Sequence, residues 1–204
     1  MRIIEVLSIK ITNLIKSSMD GIDEEKEEVL KYGLDIIIYN TFLLIIFLMS
    51  SLILGVLKPV ITSLIVYGAL RIAAGGAHAK TRVLCFIISV ITFFGPIIIS
   101  KFFLINSITP SVAIFIINIL TIIIYAPADT LEKPIIIMKI RFYQKLSSLV
   151  IAIIIFLISL KIYNIDKVIY SIILFSNIPF VLLLSPLGYK LLGCLPGRGE
   201  NCQS

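Results

Sequence analysis

The chain of 204 residues contains one histidine, His78, and three cysteines, of which only Cys85 precedes position 194. A lone histidine seven positions before a lone cysteine suggests a thiol nucleophile served by an imidazole base. The thiolate is the reactive form, and a neighbouring imidazole lowers the thiol pKa. The competing account is structural: an interfacial histidine beside a small, buried, apolar cysteine. Geometry constrains the catalytic account. On an unbroken helix, residues i and i+7 share a face but lie about 10 Å apart along the axis. That is too far for a hydrogen bond of roughly 3 Å. The backbone must therefore break, and Gly75-Gly76 is where a break is expected, because glycine adopts conformations closed to other residues. If a new helix begins near Thr81, Cys85 lies just past its first turn, where the positive end of the helix dipole favours a thiolate.

Arg71 precedes this segment. If its helix runs to about residue 79, Arg71 lies some two turns inside the membrane edge, a costly position. It could bind a substrate carboxylate or orient a catalytic group; snorkelling to the headgroups is the alternative. A second polar segment is Ala126-Pro127-Ala128-Asp129-Thr130-Leu131-Glu132-Lys133-Pro134-Ile135. Pro127 ends one helix and Pro134 limits the next. Asp129 or Glu132 could orient the His78 imidazole as the third member of a triad does, with Asp129 the better placed; either could equally be a loop charge. The basic stretch Lys133–Lys145 could attract an acidic peptide, or reflect topogenic sorting alone. Other protease chemistries lack support. One histidine cannot build H-E-x-x-H, no G-x-S-x-G occurs, and Asp35 is the only acid deep within an apolar run. No metal or other cofactor is expected.

These residues need elements to position them, and composition says which. Hydrophobic residues make up 59% of the chain and charged residues 15%, against about 25% charged in soluble domains. That excludes a soluble domain, a disordered chain, a secreted disulfide scaffold and a nucleic-acid binder. The expected class is an all-α, polytopic integral membrane protein of about six spans, near 33–57, 59–79, 83–104, 109–127, 146–163 and 168–189. With the N-terminus inside, fourteen of the eighteen basic residues fall on the cytoplasmic side. That favours cytoplasmic N- and C-termini in a bacterial cell membrane and puts His78 and Cys85 on the cytoplasmic face. Residues 1–30 form a cytoplasmic segment, 33–189 the transmembrane bundle and 190–204 a polar tail, all within a single membrane domain.

Ile3, Ile4, Leu7, Ile11, Leu14, Ile15 and Ser18 recur at helical spacing, opposite Arg2, Glu5, Ser8, Thr12, Asn13 and Lys16. That pattern predicts an amphipathic helix in the lipid interface. Asp23 is a candidate N-cap for the next helix, with Glu24, Glu25 and Glu27 in its first turn. Cys194 and Cys202 fall on the cytoplasmic side, where no structural disulfide is expected.

The pattern Arg71, Gly75-Gly76-Ala77-His78-Ala79 and Cys85 resembles that of the accessory gene regulator protein B (AgrB) family. The segment Ala126-Pro127-Ala128-Asp129 with Lys133-Pro134-Ile135 looks like the family's second signature. The resemblance covers nearly the whole chain in length, hydropathy and motif order, and fails only after Leu192. It implies a membrane cysteine endopeptidase of Gram-positive quorum sensing. Such an enzyme cleaves the C-terminal tail of an AgrD-like autoinducer precursor and supports closure of a thiolactone or lactone ring. His78 and Cys85 would be catalytic, with Arg71, Gly75, Gly76, Pro127, Asp129, Lys133 and Pro134 supporting them or binding substrate. Membrane lipids and a second copy of the chain are the other expected partners. A small peptide exporter without proteolytic activity, with Arg71 and His78 lining its path, is the competing class.

Overall fold

A computed structural model describes residues 2–18, 23–77, 79, 81–128 and 138–193. The chain forms two compact units, residues 1–56 and 57–204. Every element named among the described residues is a helix, and five helices are long and apolar enough to cross a membrane. The protein is an all-α, polytopic membrane protein, as its composition requires.

The first unit pairs α1 (Arg2–Ser18) with α2 (Glu24–Ile53). Asp23 caps α2: its backbone is extended and its carboxylate accepts the Lys26 N–H at 2.9 Å. Such a cap is worth about 1 kcal/mol. Lys16 pairs with Glu27, tying the end of α1 to the start of α2. Within α1, however, two residues that spacing assigned to water are buried, while Asn13 and Lys16 remain exposed. Ser8 and Thr12 are 1% and 2% exposed, whereas Leu7 and Leu14 are exposed. Thr12 Oγ1 donates to the Ser8 carbonyl at 2.8 Å, so its polarity is satisfied within the helix. Small hydroxyl residues let two helices approach closely, and the outward leucines suit a lipid interface. α1 is amphipathic with its small polar face turned inward.

The second unit contains α3 (Leu57–Ala74), α4 (Arg82–Phe102), α5 (Thr109–Tyr125), α6 (Met138–Tyr163), α7 (Lys167–Leu184) and the short α8 (Pro186–Leu192). α7 is the centre, packing on α3, α4, α5, α6 and α8. Its sequence suits that place, because apolar residues alternate with small polar ones that link neighbouring helices. Ser176 Oγ lies 3.0 Å from Ser63 Oγ of α3 and donates to its own Ile172 carbonyl at 2.7 Å. Ser63 in turn donates to the Thr92 carbonyl of α4 at 3.2 Å. Asn177 Oδ1 accepts from Asn118 Nδ2 of α5 at 2.7 Å. Phe115 of α5 stacks on Phe156 of α6 with ring centres 4.3 Å apart.

One end of this unit is tied around Asp166, the N-cap of α7. Its carboxylate accepts the Val168 and Ile169 N–H groups at 3.0 Å each and pairs with Lys58 Nζ at 3.3 Å. The Ile169 N–H, above all, holds this carboxyl below the usual range; desolvation opposes it, and Lys58 and the Val168 N–H aid it. At the same end, Tyr163 and Tyr170 donate to the carbonyls of Asn106 and Ser107 in the α4–α5 linker. At the other end, Ala126–Ala128 joins the α3–α4 linker, since Gly76 N–H donates to the Ala128 carbonyl at 2.9 Å. α5 therefore runs from one end of the unit to the other. Its 17 residues meet the lower limit for crossing a bilayer core, giving six crossing candidates.

Expected boundaries move at several helices: α2 runs from Glu24 to Ile53 rather than 33–57, and α3 stops at Ala74 rather than about 79. The last span does not continue to residue 189: Ser185 is extended, at φ −79° and ψ 163°, and α8 starts at Pro186. Proline disfavours helical backbone in the residue before it, which explains the break. α6 begins at Met138 rather than near 146; its first turns carry Lys139, Arg141 and Lys145, which hydropathy reads as loop although such residues suit a helix.

Candidate active site

α3 stops at Ala74, so Arg71 stands in the last turn of its helix rather than two turns inside it. Gly75 and Gly76 follow with φ of +75° and +126°. A Cβ on Gly75 would collide with the Ala128 carbonyl oxygen, and one on Gly76 with the Arg71 guanidinium. Backbone conformation and space both require glycine at these two positions.

The turn is pinned from three sides. Arg71 Nη1 donates to the Gly75 carbonyl at 2.8 Å, and Nη2 donates to the Ala77 carbonyl. The planar fork of arginine suits two carbonyls spaced this way. The Ala128 N–H donates to the Ala74 carbonyl at 2.9 Å, and the Ala128 carbonyl accepts from Gly76. Ala77 N–H donates to the Leu183 carbonyl of α7 at 3.0 Å. Beneath the turn, Ala77, Leu183, Tyr189 and Leu192 form an apolar cluster joined by Tyr67, Leu84 and Ala128. Pro127 follows the last turn of α5 and precedes Ala128; its peptide bond with Ala126 is cis.

α4 then begins as spacing anticipated. Thr81 is its N-cap, with Oγ1 accepting the Leu84 N–H at 3.2 Å. Cys85 is the fourth residue of α4, half-buried and without a disulfide. Ser89 stands one turn further along α4, and Tyr67 stands on α3 one turn before Arg71. Its ring meets Phe93 of α4 edge-on at 5.8 Å. Further along α4 from Cys85, residues of α4, α7 and α8 line an open apolar groove of about 250 Å³, among them Ile88, Thr92, Pro96, Pro179 and Leu182.

Arg71, Gly75, Gly76, Pro127 and Cys85 thus converge at one end of the second unit. His78, Asp129, Lys133 and Pro134 lie outside the described residues, as do Glu132, Cys194 and Cys202. The described residues nevertheless lead into two of them: Ala77, pinned to α7, precedes His78, and Ala128, pinned to the glycine turn, precedes Asp129. Of the basic stretch, Lys145 serves the fold by donating to the Ile123 carbonyl near the end of α5 at 2.6 Å. Sequence reasoning did not single out Tyr67, whose ring packs on the apolar cluster beneath the turn and on Phe93, although it stands one helical turn from Arg71.

Residues 8–185 match the family described as Accessory gene regulator B. The chain belongs to that family. It is 32% identical over 192 residues to an AgrB-like protein of Clostridium acetobutylicum, covering 94% of this chain and 88% of the relative. It is also 32% identical over 136 residues to accessory gene regulator protein B of Staphylococcus aureus, covering 65% of this chain and 70% of that protein. No solved structure matches. The chain is accordingly a membrane protein of accessory gene regulation, and the pinned glycine turn is a feature of this AgrB-family member.

Proposed function

We propose that this chain is a membrane cysteine endopeptidase that removes the C-terminal tail of an AgrD-like autoinducer precursor and supports (thio)lactone closure in quorum sensing. The observation carrying this reading is the helix break. A thiol one turn into a fresh helix follows closely on an arginine-braced turn whose next residue is the only histidine of the chain. His78 takes the Cys85 proton, and the thiolate attacks the scissile carbonyl. The tail leaves as its amine, giving an acyl-thioester on Cys85. A cysteine or serine within the peptide then attacks that thioester and closes the ring. Asp129 would orient the imidazole. The apolar groove further along α4 from Cys85 supports a membrane-borne substrate, and a water-poor site would protect the acyl-enzyme from hydrolysis. The charge asymmetry of the chain supports a cytoplasmic location for the site.

The test is reconstitution in liposomes with candidate precursor peptides. Cys85→Ala and His78→Ala are expected to abolish cleavage, and mass spectrometry of the wild type is expected to trap the peptide's N-terminal fragment on Cys85. Normal cleavage by either variant would overturn the dyad. Transport of uncut peptide would favour the exporter instead.

A further inference from the structure

The apolar cluster beneath the glycine turn has four buried members, Ala77, Leu183, Tyr189 and Leu192, and the last two belong to α8. Ala79, Leu84 and Ile88 also pack against it. Ala77 and Ala79 flank His78 in the chain, Leu84 precedes Cys85, and Ile88 follows Cys85 by three positions. The segments carrying the histidine and the thiol therefore stand on one floor. α8 is shaped to complete it. Ser185 is extended, and Gly188 N–H donates back to the Ser185 carbonyl at 3.0 Å. A Cβ on Gly188 would lie 2.6 Å from the Leu182 carbonyl oxygen and 2.6 Å from the Leu183 Cα, backbone atoms that cannot swing aside. Glycine thus lets α8 close on the residue whose carbonyl holds the Ala77 N–H. Gly188, Tyr189 and Leu192 are buried, while Leu187 and Leu191 on the other face are exposed. The family match ends at residue 185, so α8 lies beyond it.

We infer that α8 is a positioning element of the site: Tyr189 and Leu192 set the spacing of His78 from Cys85, and Gly188 lets them do so. The inference rests on the thiol-peptidase reading above. Arg71 and Ala128 hold the shape of the glycine turn, but the turn and the start of α4 are separate pieces of backbone. The side chains of α8 contact neighbours of both reactive residues at once, so they fix one piece against the other. Removing the Tyr189 ring leaves a gap under Ala77 and Leu84, and packed side chains shift towards such a gap. The reactive groups keep their chemistry and lose their alignment, on which the rate depends steeply.

The test uses the full chain reconstituted in liposomes with precursor peptide, comparing Tyr189→Ala, Gly188→Ala and Tyr189→Phe with wild type. Cleavage kcat is expected to fall by about 10²-fold in the two alanine variants, the cost of misplacing a catalytic group. KM should stay within about threefold, the pattern of a defect felt in the transition state. Tyr189→Phe keeps the ring and its volume and should cleave within about twofold of wild type. The pH profile of Cys85 alkylation by iodoacetamide separates positioning from general weakening. In Tyr189→Ala and Gly188→Ala it should move towards the profile of His78→Ala. In Asn118→Ala, which weakens the bundle far from the turn, it should stay at that of wild type. Near-normal kcat in both alanine variants, with Cys85→Ala inactive, overturns the inference and leaves the peptidase reading standing. Lost cleavage with an unmoved alkylation profile also overturns it, as does an equal shift in Asn118→Ala. Cleavage by Cys85→Ala overturns both readings.

Discussion

At the scale of single residues, the site depends on one side chain holding a turn and two glycines permitting it. Arg71 donates to the carbonyls on either side of Gly76. Arg71→Lys keeps the charge and loses the fork. It is expected to lower precursor cleavage at least tenfold, while the rate of Cys85 alkylation, measured in parallel, falls far less. Gly76→Ala meets both the guanidinium and a φ of +126°, strain of roughly 1–3 kcal/mol. Because misplacing a catalytic group by about 1 Å can cost 10²-fold, cleavage should drop by that order in a protein that still purifies in a single folded peak. A near-normal rate would show that the turn does not position the chemistry. Much of this was legible in the sequence, since Arg71, Gly75, Gly76 and Cys85 stand out by type and spacing. Ala128 and Leu183 were not legible. They act through backbone carbonyls and amides, which any residue carries, and their partners lie far away along the chain.

At the scale of elements, hydropathy located the helices but not their ends. Membrane solvent selects apolar side chains, whereas helix ends follow caps and prolines. Asp23 and Thr81 could be anticipated as helix starts, and Ser185–Pro186 was readable in principle, yet an apolar run hid that break. Asp166 shows what a cap does here. Its carboxyl is held below the ordinary range of about 3.9, chiefly by the Ile169 N–H. A lowered folded-state pKa contributes stability above the unfolded value and loses it as pH falls through the folded one. Asp166→Ala should therefore lower thermal stability in detergent by a similar amount from pH 8 to pH 5, with the gap to wild type closing below about pH 4. The capping part should be about 1 kcal/mol. In the bundle interior, a double-mutant cycle on Asn118 and Asn177, each changed to Ala, should give a coupling of about 0.6 kcal/mol, the average for polar contacts between membrane helices. Zero coupling would reduce this contact to incidental packing.

At the scale of the whole molecule, the second unit separates its charges. Lys58, Lys101, Lys161 and Lys167 gather at the Asp166 end, and Arg71, Arg82, Lys139, Arg141, Lys145 and Lys190 at the end bearing Cys85. This is the asymmetry the sequence displayed, now distributed over two ends of a packed bundle. Single cysteines placed at Asn106 and Lys139 in a background lacking the native three should label from opposite sides of sealed vesicles. Labelling from the same side would mean that α5 does not cross. Which end faces the cytoplasm was legible only as a count of lysines and arginines, because no packing contact depends on sidedness. The bond from Ala77 to Leu183 carries a further implication, about time. Ribosomes emit His78 and Cys85 long before α7, so a nascent chain holds both reactive groups while the brace for their turn is still unmade. On the peptidase reading proposed above, the thiol and its base would gain competence only when the last long helix enters the bilayer. A chain ending at residue 165 should insert and carry a thiol open to alkylation, yet cut no precursor. Synthesis itself would then act as the safety catch on the proposed peptidase.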